Sequence, residues 1–180
     1  MKSITIAPIY LRQMIDDAQR NYPNECCGFG FGYGHRVLEV VPIRNVASHP
    51  SHAYVMDAID QTKAMFNAFN KGYELVCIYH SHPNSQPVPS ETDIRHNHYP
   101  SMAHCIIGIN SKFVEVGVWK LGERVERLPL LDSNAYEHVE GLSYDPISNI
   151  IRFMVLLGVS IFVIAVSIYL LPPPPELPLP

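Results

Sequence analysis

Nineteen consecutive residues, Phe153 to Leu171 (FMVLLGVSIFVIAVSIYLL), carry no charge, and this run limits what the rest of the chain can build. At ~1.5 Å rise per residue, a helix of that length nearly spans a hydrocarbon layer of ~30 Å. Ile150 and Ile151 extend it. Thirteen of the nineteen are Leu, Ile, Val or Phe. Each favours the bilayer centre by roughly 0.3 to 0.6 kcal/mol, enough to outweigh Gly158, Ser160 and Ser167. A buried core helix of about five turns ordinarily keeps a polar face, which this run lacks. Residues 150–171 are therefore expected to form one carboxyl-terminal transmembrane helix. The Pro-rich tail 172–180, PPPPELPLP, ends it, because proline cannot continue a helix. Arg152 flanks the amino end of the span while the tail has no Lys or Arg, so the main domain is expected on the cytoplasmic side of a single-pass membrane protein.

What precedes the span is one domain, expected over residues 1–130, joined to it by a polar, acidic tether over 131–149. The opening MKSITIAPIY has an apolar stretch too short for a signal peptide and is expected to stay in place. A net charge of −4 and a pI of about 6.1 argue against nucleic acid as a partner. Cysteines stand at 26, 27, 77 and 105, with no C-x-x-C pair, and are read as buried thiols; Cys77 and Cys105 lie in strand-like runs that could be neighbours, and whether they bridge stays open.

Within residues 1–130, Leu11, Met14, Ile15 and Ala18 recur at helical spacing, and Ile59, Thr62, Phe66 and Phe69 mark a second helix closed by Gly72. Strand-like runs lie between and after them: GFGFGYG and VLEVVPI with a turn at Gly34, then ELVCIYH, HCIIGI, FVEVGVW and RVERLPL. The glycines of the first run lack the G-x-x-G entry into a helix, so a strand and turn is the better reading than a phosphate loop. The pattern predicts an α+β fold, a mixed β-sheet flanked by helices.

His80 and His82 close an apolar strand two residues apart, and in a strand such residues share a face, so both imidazoles can converge on one ion. Asp93, after seven residues from Pro83 to Pro89 and the triplet Ser90-Glu91-Thr92, can supply a third, oxygen ligand. Three protein ligands with a fourth position open are the pattern of catalytic rather than structural zinc, which brings the pKa of bound water to about 7. Such a site still needs a proton acceptor that is not a ligand.

His80-Ser81-His82, seven residues, Ser90, two residues and Asp93, with Glu25 upstream in Asn24-Glu25-Cys26-Cys27-Gly28, resembles the JAMM (MPN-plus) metalloprotease signature at every signature position. The helix before Pro23, an Ala53-Tyr54-Val55 strand and the GYELVCIYHSHP approach look like compact prokaryotic members of that family. The resemblance covers residues 1–130. It implies the JAMM/MPN fold, which is cytidine-deaminase-like, one zinc ion held by His80, His82 and Asp93, Glu25 as the proton-transferring base, and Ser90 as a hydrogen-bond donor to the oxyanion. It also implies a peptidase or isopeptidase acting at the carboxyl-terminal tail of a ubiquitin-like or sulfur-carrier protein. There is little room between Asp93 and His104 for the insertions with which larger members grip ubiquitin.

Each of these residues also has a plainer reading. Ser90-x-x-Asp93 is a helix-capping pattern, and the two roles are compatible. Glu25 stands at the mouth of an apolar strand, where a charge needs a reason. His96 and His98, if on a helix begun at Ser90, diverge too far to share an ion and are read as surface or packing residues. His35, His49, His52, His104 and His138 receive the same reading; Tyr54 and Trp119 are read as core, although a Trp119 left exposed would be able to touch a partner. The alternative to an enzyme is a non-catalytic, metal-stabilised module that binds ubiquitin-like proteins.

Overall fold

The computed structural model describes residues 1–110 and 112–132. The chain runs β1 (Ile4–Ile6), α1 (Pro8–Asn21), β2 (Cys27–Tyr33), β3 (Arg36–Ile43), α2 (Ala58–Asn70), β4 (Glu74–Pro83), α3 (Glu91–Arg95), β5 (Ala103–Ile109), β6 (Val114–Leu121), β7 (Val125–Arg127) and β8 (Leu130–Asp132). All eight strands form one sheet in the order β7-β6-β5-β4-β2-β3-β1-β8. β1 runs parallel to β3 and β8, β4 runs parallel to β5, and the remaining neighbours are antiparallel, so the sheet is mixed as expected.

β7 and β8 occupy opposite ends of that order, yet only Leu128 and Pro129 separate them. The sheet therefore curls round until its edges approach, and the N–H of Ile4 donates to the Pro129 carbonyl at the junction. The sequence run RVERLPL, read as one strand, is split there because Pro129 has no N–H to give a ladder. β8 takes in Leu131 and Asp132, the first two residues of the stretch read as a tether. The rest of that tether, the run 150–171, the tail and His138 lie outside the described residues. No helix among the described residues is long and apolar enough to cross a membrane.

Strand alternation sorts the core into two clusters. Tyr79, Cys105 and Ile107 join Ile4, Met14 and Ala18 in the cluster that takes in α1, with Leu11 and Ile15 packed against it. Ile78, Phe29 and Phe31 join Ala64 and Ala68 of α2 in the other. All four cysteines are buried and free; Cys77 and Cys105 lie on adjacent strands, with Cys77 opposite Ala103 and Cys105 opposite Tyr79.

Three expectations need correction. Helix α2 forms where predicted and is closed by Gly72 at φ +75°, but the face that buries is another one. Ile59, Phe66 and Phe69 are 64%, 63% and 73% exposed, whereas Ala64 and Ala68 face the sheet. The sheet offers bulky Phe29, Phe31 and Ile78 on this side, so only small side chains let the helix approach. Ala53-Tyr54-Val55 is not a sheet strand; the extended segment makes a single bridge, Asn45 to Met56. The helix begun at Ser90 ends at Arg95, so the argument that His96 and His98 diverge on it does not apply.

Asp17, buried on α1, accepts a hydrogen bond from the Tyr79 hydroxyl at 2.8 Å, which ties α1 to the strand that carries the histidines. Removing that donor leaves a buried carboxylate short of a partner. Tyr79→Phe is expected to lower stability by about 1 to 3 kcal/mol, seen as a lower urea midpoint at unchanged m-value.

Candidate metal centre

β4 is a central strand, paired with β2 on one side and β5 on the other, so its backbone groups are committed and its side chains stand in fixed directions. Ile78, His80 and His82 share the face toward α2. The parallel register puts His104 of β5 opposite Ile78, on the same face. The antiparallel register puts Cys27 opposite His80, and the ladder continues past β2: Ser81 N–H donates to the Cys26 carbonyl at 3.1 Å, and Cys26 N–H donates to Ser81 Oγ at 2.9 Å. One residue further back, Glu25 comes beside His82.

Asp93 is delivered differently. The connection from Pro83 to Pro89 lies against Gly108 and Gly117, where a Cβ would meet Ser85 and Pro87 at under 3.0 Å. Trp119, half-buried rather than core, pins it by donating from Nε1 to the Pro87 carbonyl at 2.8 Å. Ser90 then caps α3. Its Oγ accepts from Asp93 N–H at 3.1 Å, while its own N–H and hydroxyl donate to Asp93 Oδ2, each at 2.7 Å. The capping reading and the site reading of this pair thus describe the same bonds.

The three expected ligands meet. His80 Nε2 and His82 Nε2 are 3.0 Å apart, His80 Nε2 is 3.2 Å from Asp93 Oδ1, and His82 Nε2 is 3.2 Å from Asp93 Oδ2. Donors placed tetrahedrally around zinc at ~2.0 to 2.1 Å stand about 3.3 Å apart, so the spacing fits such an ion. The chemistry agrees: lone pairs of two imidazoles and a carboxylate aimed at one point repel unless a proton or a cation lies between them. Among the described residues this is the group of His, Cys, Asp and Glu that could hold a metal ion. His82 Nδ1 faces the Gln86 carbonyl at 3.4 Å, an arrangement that keeps the hydrogen on Nδ1 and leaves Nε2 free.

Burial lowers the His80 pKa, with Asp93 opposing. At His82 burial also acts downward, but Asp93 and Glu25 outweigh it and the net shift is upward. Burial alone would raise Asp93, yet its contacts with His80, His82 and Ser90 hold it far below the usual carboxylate range. Glu25 is 7% exposed. Burial pushes its carboxyl up to about 7, with His82 opposing and Asp93 reinforcing. Two carboxyls thus share one site with their proton affinities driven apart, a pattern found where one group ligates and the other moves protons.

A cavity of about 500 Å³ opens beside these groups, lined among others by Glu25, Ser90 and Asp93. Several residues read from the sequence as surface or core line it too. Tyr54 stacks on His80 with ring centroids 4.6 Å apart, where the sequence pointed to core packing. His52, His96 and His98 line the cavity as exposed residues, and His104, nearly fully buried and lowered to about 4 by burial, lies deeper with Ile78 and Tyr99. No local pattern marks these residues; their place follows from strand register and loop path.

Comparison with known proteins agrees with this geometry. Residues 8–122 match the family described as prokaryotic homologs of the JAB domain. The chain is 35% identical over 86 residues to a desampylase of Haloferax volcanii, covering 47% of this chain and 62% of that protein. It is 39% identical over 77 residues to a probable TtuB-protein conjugate cleaving protease of Thermus thermophilus, covering 42% and 51%. It is 33% identical over 85 residues to a CysO-cysteine peptidase of Mycobacterium tuberculosis, covering 46% and 57%. The aligned stretches span 51% to 62% of these relatives' lengths. In fold, the chain resembles a protein from Desulfitobacterium hafniense, with TM-score 0.66 and 24% identity, over 76% of this chain and 99% of that one. It also resembles a JAB1/MPN domain protein from Archaeoglobus fulgidus, with TM-score 0.50 and 16% identity, over 73% and 100%. The match over residues 8–122 places this chain in the family of prokaryotic homologs of the JAB domain.

Proposed function

We propose that the chain is a zinc-dependent hydrolase that cleaves the peptide or isopeptide bond at the carboxyl-terminal tail of a ubiquitin-like or sulfur-carrier protein. The observation that carries this reading is the convergence of His80, His82 and Asp93 beside a buried Glu25 pushed up to about 7. A site that only braced the fold would have no use for a second, non-ligating carboxyl kept out of water. The relatives named as a conjugate-cleaving protease and as a peptidase support the reaction class.

His80, His82 and Asp93 would hold the ion, and their nitrogen and oxygen donor set suits zinc. When bound there, the ion supplies Lewis acidity, which polarises a carbonyl and lets water ionise near neutral pH. Glu25, facing the same cavity, takes the proton of the attacking water and hands it to the departing amine, a task suited to a carboxyl within reach of the ion that does not itself hold it. Ser90 Oγ lines the cavity and keeps Asp93 aligned; by turning its hydrogen from Asp93 it becomes a donor to the oxyanion. Tyr54 covers one face of the His80 ring and helps exclude water from it. The 150–171 run supports a location at a membrane, with the domain on its cytoplasmic side.

Three outcomes are expected. Glu25→Gln retains one zinc per chain by metal analysis but loses at least ~10²-fold in kcat on a carrier-protein conjugate, and Ser90→Ala loses about 10²-fold; full activity in Glu25→Gln ends the role given to Glu25, and no turnover by the zinc-loaded wild type ends the hydrolase reading. The second concerns stability. A carboxyl whose pKa rises from 4.5 to about 7 on folding binds its proton more tightly when folded, so the metal-free protein loses stability as pH climbs through that interval. With chelator present, Glu25→Gln should melt above the wild type at pH 8 and level with it at pH 4.5; equal melting at both would show that burial does not act on this carboxyl. Third, the full chain should stay in the membrane pellet after alkaline carbonate extraction, while deletion of 150–171 should release it.

A further inference from the structure

Asn45 lies between β3 and the extended segment that leads to α2, and its side-chain amide is used to full capacity. Nδ2 donates to the carbonyls of Glu25 at 2.9 Å and Ala53 at 3.0 Å. Oδ1 accepts from the N–H groups of Ala47 and Val55, both at 3.0 Å. Two donors and two acceptor sites are all that a carboxamide has, and all four are spent on main chain. The partners are not scattered. One is the main chain of Glu25, and two others, Ala53 and Val55, are the residues on either side of Tyr54, whose ring lies on His80.

We propose that Asn45 is a positioning residue that sets Glu25 and the Tyr54 ring together against the two histidines, by holding the Glu25 carbonyl and the main chain on both sides of Tyr54. Neither segment is fixed by the sheet at this point. Glu25 precedes β2, and residues 53–55 contribute only to the neighbourhood of one isolated bridge. The other main-chain restraints are Glu25 N–H to the Pro50 carbonyl at 2.7 Å and Val46 N–H to the Val55 carbonyl at 2.8 Å. The first of these also ties Glu25 to the same loop rather than to the sheet. A single planar side chain therefore couples the base to the ring that covers a metal ligand. The kinetic consequence rests on the hydrolase reading; the geometric one does not.

Asn45→Asp separates this role from simple support, because the carboxylate still accepts from Ala47 and Val55 but can no longer donate to Glu25 and Ala53. In the full chain, zinc content and KM should stay within about threefold of the wild type while kcat on a carrier-protein conjugate falls about 10- to 100-fold, the usual consequence of losing a bond that orients a site group. Asn45→Gln, with the same donors on a longer stem, should not restore kcat. Independently of turnover, the ring C–H resonances of ¹³C-labelled His80 should move in Asn45→Asp, since the Tyr54 ring shields them in the wild type. A folded, zinc-loaded Asn45→Asp with kcat within threefold of the wild type overturns the proposal, and so do unmoved His80 resonances. Should the wild type cleave no conjugate, the hydrolase reading fails by itself and the His80 resonances decide the role of Asn45. If Asn45→Asp does not fold, Asn45→Ser, which keeps a short donor and acceptor, is measured by the same two readouts.

Discussion

The alternation of one strand governs this molecule. β4 is hydrogen-bonded on both edges, so each successive side chain has its direction fixed by the sheet. One set, with Tyr79 bound to Asp17, anchors the layer of α1. The other set begins with Ile78 in the apolar cluster under α2 and ends with His80 and His82 at the open end of the strand. The two histidines are thus the polar continuation of a row of core residues, and slipping the register of β4 by one residue would send both imidazoles to the α1 side. The pairing with β2 brings the chain as far as Cys26, through its bonds with Ser81, and Glu25, one residue further back, is held by Asn45 and Pro50. The serine between the two histidines belongs to this scaffold rather than to the cavity.

The site sets charge against burial. Asp93 lies close enough for its charge to act on Glu25, and both are largely removed from water. Asp93 resolves its own conflict through His80, His82 and Ser90, at the expense of Glu25, whose carboxyl is left with burial and a neighbouring negative charge to push it upward. A divalent cation between the three donors would relieve the repulsion and draw Glu25 back toward ionisation. Such a concentration of buried carboxyl and imidazole groups costs stability, as is expected where a fold gives up stability for a site.

Legibility from sequence follows the range over which each feature is determined. The convergence of His80, His82 and Asp93 could be read because period-two alternation and a short, fixed loop are local facts, and the α+β class because helical and strand periods alternate visibly along the chain. The Gly34 turn and the Gly72 stop were legible for the same reason. The inward face of α2 was not, because hydrophobicity alone favours Ile59, Phe66 and Phe69, whereas the choice of Ala64 and Ala68 depends on the bulk of Phe29 and Phe31 across the interface. Tyr54 and His104 are not legible as cavity residues, because nothing within a few positions of them signals a site. His104 is placed by the register of a parallel neighbour, and Tyr54 by a loop whose course is held by Asn45.

Two segments outside the sheet close over the end of β4, and each is secured by side chains bonded to main chain. For residues 47–56 that side chain is Asn45; for 84–93 the work is divided between Trp119, which holds the Pro87 carbonyl, and Ser90, which caps the turn bearing Asp93. Such bonds fix a loop without dictating its other side chains. Ala53, Val55 and Met56 on one segment, and Thr92 just before Asp93 on the other, therefore line the cavity while bearing none of the metal geometry. Two kinds of restraint thus meet at the cavity: strand register holds the histidines, whereas the remaining lining residues on these two segments sit on loops where substitution leaves that register intact.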